Sequence, residues 1–151
     1  MKKGFTIIEI LLVLTLSTFI IGFVSLSFSK INENEVLDQS ADLVVSVLNE
    51  ARTMTLSAVD DSRYGVHFDT SQVIFFKGAT YDSAAANNVP TLLNSLVGIG
   101  SITLVGGGSD VVFNRLTGAT NQAGTLRVYL KSATTTYRTV IVGVAGLVER
   151  N

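Results

Sequence analysis

The chain has 151 residues with 11 basic and 12 acidic side chains, a net charge of −1, one proline, one histidine and no cysteine. That length holds one modest domain plus a helical extension. The charge balance excludes a polybasic nucleic-acid binder and an acidic tail, and the lack of cysteine excludes a disulfide clamp and a thiolate metal site.

Lys2, Lys3 and Gly4 precede an apolar run, residues 5–28, that holds a single charge, Glu9. As a helix rising about 1.5 Å per residue, this run spans about 36 Å, enough to cross a bilayer core of about 30 Å. Three readings compete for it. A secretory signal has a shorter apolar region and a small-residue cleavage site behind it, whereas here Ser25, Ser27 and Ser29 alternate with large residues. A plain transmembrane anchor fits the length but leaves Glu9 unexplained, at a cost of roughly 2.5–3.5 kcal/mol at a bilayer centre and less near the end. The third reading uses the glutamate. A cut between Gly4 and Phe5 creates an amino group four residues before Glu9, on the same helix face. In a bundle of such helices, the amine of one subunit neutralises Glu9 of the next.

Gly4-Phe5-Thr6-Ile7-Ile8-Glu9 behind a short basic leader resembles the signal of type IV prepilins, a family of type IV pilins and of pseudopilins from type II secretion and DNA-uptake machines. The resemblance implies that prepilin peptidase cleaves after Gly4 on the cytoplasmic side. It implies too that the same enzyme N-methylates Phe5, and that Glu9 guides filament assembly. Losing the leader leaves nine basic and twelve acidic side chains, a net charge of −3. Lys2 and Lys3 keep the N-terminus inside and send the rest of the chain outward.

Beyond the apolar run, Leu37, Ala41, Val44, Leu48, Ala51, Thr55 and Ala58 recur at three- and four-residue steps, widened by Leu43, Val47 and Met54. Glu33, Glu35, Asp38, Asp42, Asn49, Glu50 and Arg52 take the other faces. This pattern predicts an amphipathic continuation of one helix over about residues 6–59. The proline that bends this helix in many major pilins is missing, and Gly22 is its one weak point, at about 1 kcal/mol relative to alanine.

Asp60-Asp61-Ser62 ends the helix, and a β-rich region begins. Residues 64–68 and 73–77 alternate as a hairpin. Residues 78–88 read as a small polar surface loop, and residues 90–97 as one helical turn. Strands follow at 101–105, 111–114, 126–130 and 137–142, with Gly106-Gly107-Gly108 as one turn and the Ser/Thr-rich stretch 132–136 as another. A last short strand runs through Leu147 and Val148. The expected fold class is therefore α+β, a long N-terminal helix packed on a small antiparallel β domain of six to seven strands. The predicted divisions are a leader (1–4), a transmembrane and filament-core helix (5–28), its amphipathic continuation (29–59) and the β domain (60–151).

Val111 to Gly118, Thr125-Leu126-Arg127-Val128, Tyr137 to Val142 and Gly146-Leu147-Val148 resemble the outer domain of the GspH/FimT group of minor pseudopilins and minor pilins. Leu48-Asn49-Glu50-Ala51-Arg52 resembles that group as well, which often carries an Ala-Arg pair there. The resemblance implies a β-sandwich-like domain.

No enzyme chemistry is legible. His67 stands between Val66 and Phe68 with no second histidine or cysteine, and reads as a surface-strand residue. Asp60, Asp61 and Asp69 lack the spacing of a calcium loop, and the glycine triplet lacks the lysine of a phosphate loop. No cofactor or metal is expected. Some members of the FimT branch bind DNA through a basic tract after a C-terminal glycine. The matching tract here, Gly146-Leu147-Val148-Glu149-Arg150-Asn151, places Glu149 among the expected cations. Arg115, Arg127, Lys131 and Arg138 are the residues that would have to cluster for phosphate binding.

The expected function is that of a minor pilin or pseudopilin, a structural filament subunit and not an enzyme. It would be anchored once in the inner membrane with the C-terminal domain outside. Its expected partners are prepilin peptidase, the membrane and other pilin subunits. The alternatives are a DNA-binding competence pilin and an unassembled membrane-anchored binding module.

Overall fold

The structure is a computed structural model that describes residues 4–151, without the side chains of residues 23–30. By its packing the chain divides into two units, Met1–Glu35 and Val36–Asn151. Helix α1, Ile7–Leu56, contributes to both and runs for 50 residues, as an uninterrupted stretch without proline allows.

In the first unit, α1 opens on a cap written into the sequence. The Glu9 amide donates to the Thr6 carbonyl at 3.1 Å and to Thr6 Oγ1 at 3.4 Å. Thr6 followed by Glu9 is a capping-box pair, and a carboxylate in the first turn complements the helix dipole. From Phe5 to Ile21 the large apolar side chains are exposed. The hydroxyls among them are all bonded to the helix itself: Thr15 to the Leu11 and Leu12 carbonyls, Ser17 to Val13, and Thr18 to Leu14 and Thr15, at 2.7–3.0 Å. Among the described residues no helix is long and apolar enough to cross a membrane. The side chains at 23–28, which complete the expected span of 5–28, lie outside the described residues.

In the second unit, the expected stripe is the core side of α1. Leu37, Ala41, Val44, Leu48, Ala51 and Thr55 are fully buried. The helix stops short of the expected residue 59, because Ala58 turns left-handed at φ 50°. Asp60 and Asp61 follow at φ 49° and 55°, a conformation aspartate accepts more readily than most residues. Thr55 then ties the helix to the chain beyond this turn: its hydroxyl donates to the Ala51 carbonyl at 2.8 Å and accepts from the Tyr64 amide at 3.0 Å.

Among the described residues eight strands, more than the six or seven expected, form two antiparallel four-stranded sheets. The first contains β1 (Tyr64–Phe68), β2 (Gln72–Lys77), β3 (Val89–Leu92) and β5 (Asp110–Val112), in the order β3-β2-β1-β5. The second contains β4 (Val97–Leu104), β6 (Gly124–Leu130), β7 (Ala133–Val142) and β8 (Val148–Arg150), in the order β4-β6-β7-β8. Alternation decides which side chains enter the core. Tyr64, Val66 and Phe68 from the first sheet and Leu126, Val128 and Leu130 from the second are buried with the helix stripe.

Three local expectations are corrected. Residues 90–97 form no helical turn: Val89–Leu92 is strand β3, and Pro90 pairs with Ile74 in register. Proline lacks an amide donor, and an edge strand tolerates that loss. Residues 132–136 are mostly strand, not turn. The β6–β7 reversal is only Lys131 and Ser132, with Leu130 opposite Ala133, because a run of β-branched threonines suits an extended backbone. The loop at residues 78–88 does more than cover surface. Tyr81 meets Phe76 at 5.5 Å between ring centroids and stacks on His67 at 4.0 Å, so the loop roofs the face of the first sheet that turns away from the helix.

Candidate functional site

In the first unit, Phe5, Glu9, Ile10, Val13 and Leu14 line one shallow apolar depression along the helix. The four-residue step from Phe5 to Glu9 does place both on one face, as helix geometry requires. Glu9 is exposed, and no cation pairs with it among the described residues. Gly4 is exposed, and a Cβ there would meet nothing within 4 Å.

In the second unit, charge is organised by pairing. Asp38 and Asp42, four residues apart on α1, face β7 and β8. Arg138 Nε and Nη2 approach the two oxygens of Asp38 at 2.8 and 3.2 Å. Arg150 Nη1 reaches Asp38 Oδ1 at 2.5 Å, and its Nε reaches Asp42 at 3.1 Å. The hydrogen bond from Arg138, with the charges of Arg138 and Arg150, holds the Asp38 carboxyl below its usual value against the opposing effect of burial. Lys77 does the same for Asp60 through a 3.0 Å hydrogen bond. Arg115 pairs with Asp61. The sequence places Asp38 and Asp42 on the faces of α1 outside the apolar stripe. Their i, i+4 spacing was the available signal for a shared partner.

A second junction joins α1 to two tight loops. Arg52 Nε donates to the Gly118 carbonyl at 3.2 Å. Gly118 and Gly146 both have positive φ, at 62° and 74°. A Cβ on Gly146 would stand 1.8 Å from the Gly118 oxygen, so this approach requires glycine. The Ala51-Arg52 pair thus has one buried member in the core and one that fixes the loops.

The four cations that phosphate binding would have to bring together are each engaged separately. Arg115 and Arg138 are each held by a carboxylate, Lys131 donates to the Ser95 carbonyl at 3.1 Å, and Arg127 lies over the Tyr137 ring at 4.3 Å. His67 points away from its neighbours' face, as the alternation requires, but it is half-buried. Asp110 stands opposite it in register, with Nδ1 and Oδ1 2.5 Å apart. Among the described residues, no group of three or more histidine, aspartate or glutamate side chains is placed to hold a metal ion.

A long helix packed against two small antiparallel sheets is a pilin-like α+β fold, and solved structures share it. The type IV minor pilin FimU of Pseudomonas aeruginosa PAO1 superposes with a TM-score of 0.59 at 13% identity, covering 82% of this chain and 92% of that one. A second crystal form of FimU gives 0.55 at 11% identity, over 76% and 92%. The minor pseudopilin EpsH, from the type 2 secretion system of Vibrio cholerae, gives 0.54 at 14% identity, over 76% and 95%. No family model matches the chain, and no curated protein matches it in sequence. The likeness is one of fold.

Proposed function

We propose that this chain is a minor pilin or pseudopilin, a structural subunit of an extracytoplasmic filament. The observation that carries the reading is the exposed apolar surface from Phe5 to Ile21, with Glu9 one turn from Phe5, in a chain that shares its fold with a minor pilin and a minor pseudopilin. Such a face is stable in lipid or against other helices. The internally bonded hydroxyls of Thr15, Ser17 and Thr18 suit the same surroundings, which offer them no water.

On this reading, residues 1–4 are a leader that prepilin peptidase removes after Gly4, and Phe5 becomes the methylated N-terminus. Residues 5–28 anchor the subunit once in the inner membrane and later join the filament core. Residues 29–59 continue the helix into the domain at 60–151. In the core, an unpaired carboxylate costs several kcal/mol. Pairing Glu9 with the Phe5 amine of a neighbouring subunit removes that cost and fixes one axial offset. The pairing of Arg115 and Arg138 with aspartates weighs against DNA as the partner.

Glu9 also serves the helix start, so the informative substitution is Glu9→Gln, which keeps capping-box chemistry and removes the charge. Cleavage and membrane fractionation are expected to remain near wild type, while recovery in sheared filaments falls about tenfold or more, the equivalent of about 1.4 kcal/mol or more. Wild-type recovery at equal expression removes Glu9 from the assembly mechanism. An N-terminal peptide mass with residues 1–4 still attached to cellular protein replaces this reading with that of an unassembled anchored module.

A further inference from the structure

The face of the second sheet that turns away from the helix carries a slot that filament assembly through α1 does not use. Because Ile99, Leu126, Val128 and Val140 point into the core, their neighbours Gly98, Gly100, Arg127, Tyr129, Tyr137 and Thr139 point out. Gly98 stands opposite Tyr129, and Tyr129 opposite Tyr137. A Cβ on either Gly98 or Gly100 would lie 3.0 Å from the Tyr129 ring, so that ring spans both glycines. The register shifts between Gly100 and Thr103, and Ser101 turns outward at φ 48°. Gly100, Ser101, Arg127, Tyr129, Thr134 and Tyr137 enclose about 290 Å³, near the lower end of small-ligand pockets.

Arg127 is the cation that lines this slot. Arg115, Arg138 and Arg150 each have a carboxylate. Arg127 has none among the described residues, and its guanidinium rests over Tyr137. A planar guanidinium held on an aromatic face keeps N–H groups free for a carboxylate, which it takes through two parallel hydrogen bonds. The hydroxyls of Ser101 and Thr134 donate and accept, and a tyrosine ring offers an apolar face beside a polar tip.

We infer that the slot binds a carboxylate-bearing sugar, one uronate unit of an acidic polysaccharide. Its carboxylate lies on Arg127, its apolar ring face against Tyr129, and its hydroxyls toward Ser101 and Thr134. The slot is open to solvent, so the polymer continues past the bound unit. A nucleic-acid strand fits less well. Phosphate tracking needs several cations along one path, whereas the slot is lined by one arginine, which suits a single carboxylate held by two parallel hydrogen bonds.

The test is binding of labelled tetragalacturonate to the full chain in detergent micelles, beside neutral galactotetraose and a thymidylate tetramer. Tetragalacturonate is expected to bind at least about tenfold more tightly than either, a difference of about 1.4 kcal/mol. Arg127→Gln is expected to abolish that preference, and Arg127→Lys to retain part of it. Thermal melting by circular dichroism confirms that each variant is folded, and Arg127→Lys decides the matter if Arg127→Gln does not fold. Equal binding of the charged and neutral sugars, an Arg127→Gln protein that binds like wild type, or no binding at all overturns the inference. Tighter binding of thymidylate, lost in Arg127→Gln, assigns the slot to nucleic acid instead.

Discussion

Leu12 and Leu48 belong to the same helix, and their surroundings differ about as far as two leucines' can. Leu12 is 62% exposed amid other exposed apolar side chains, while Leu48 is fully buried between helix and sheets. The backbone is equally regular at both. The first unit has apolar residues on every side, and the large ones described stay uncovered. The second has a stripe, and the chain supplies two sheets to cover it. Helical propensity therefore says little about which segment is a finished structure. The width of the apolar surface says a good deal, because a stripe can be satisfied internally and an all-round surface cannot.

Truncating the two leucines separates the units most sharply. Leu48→Ala is expected to cost about 2–5 kcal/mol of domain stability, as a cavity in a packed core does. Leu12→Ala is expected to change it by less than about 0.5 kcal/mol. Denaturant unfolding of the full chain, followed by a β-sheet circular dichroism signal, reads both. A comparable loss from Leu12→Ala would mean that the first unit contributes to the folding of the second.

Gly146→Ala comes next. Left-handed strain costs about 1–3 kcal/mol, and the approach to the Gly118 oxygen adds to it. The melting temperature is expected to fall clearly, with the first unit's helical signal unchanged. An unshifted melt would show that the loops around Gly118 and Gly146 separate at little cost.

The smallest effect is electrostatic. Arg138 and Arg150 lower the Asp38 carboxyl in the folded chain, so the unfolded chain takes up the proton first as acid is added. The stabilisation is complete above the ordinary aspartate value of 3.8. It is lost as pH falls below that value, through the lower folded one. These side chains are about one-third exposed, which limits the contribution to about 1 kcal/mol. Wild-type stability is expected to fall more steeply below about pH 4 than that of Asp38→Asn, measured by urea unfolding at a series of pH values. Parallel curves would remove Asp38 as a contributor.

What was legible in the sequence was local. The stripe from Leu37 to Thr55, the hairpin of β1 and β2 and the glycine turn at 106–108 each depend on spacing within a few residues, and each stands where expected. Residues whose partners lie far along the chain were misread. Pro90 looked like a helical turn because its strand partner, Ile74, lies across a loop. The partners of Asp38 were not legible because Arg138 and Arg150 lie 100 and 112 residues away. Tyr81 looked like part of a polar loop because nothing near it in sequence marks His67 as its stacking partner. The candidate site divides in the same way. The Phe5–Glu9 step could be counted directly, whereas the Arg127 slot required the register of three strands.

The distance from Asp38 to its arginines has a further consequence, in time rather than in space. A ribosome places Asp38 and Asp42 early and reaches Arg150 only after the intervening strands are made. Until then Asp38 has only Arg138, Asp42 lacks its arginine, and β8, the edge of the second sheet, is not yet made. The ion pairs that join β8 to α1 therefore form only once residue 150 is present. A chain that stops before that point leaves Asp38 and Asp42 without Arg150 and exposes the β7 edge, the kind of unpaired strand that neighbouring chains and proteases find.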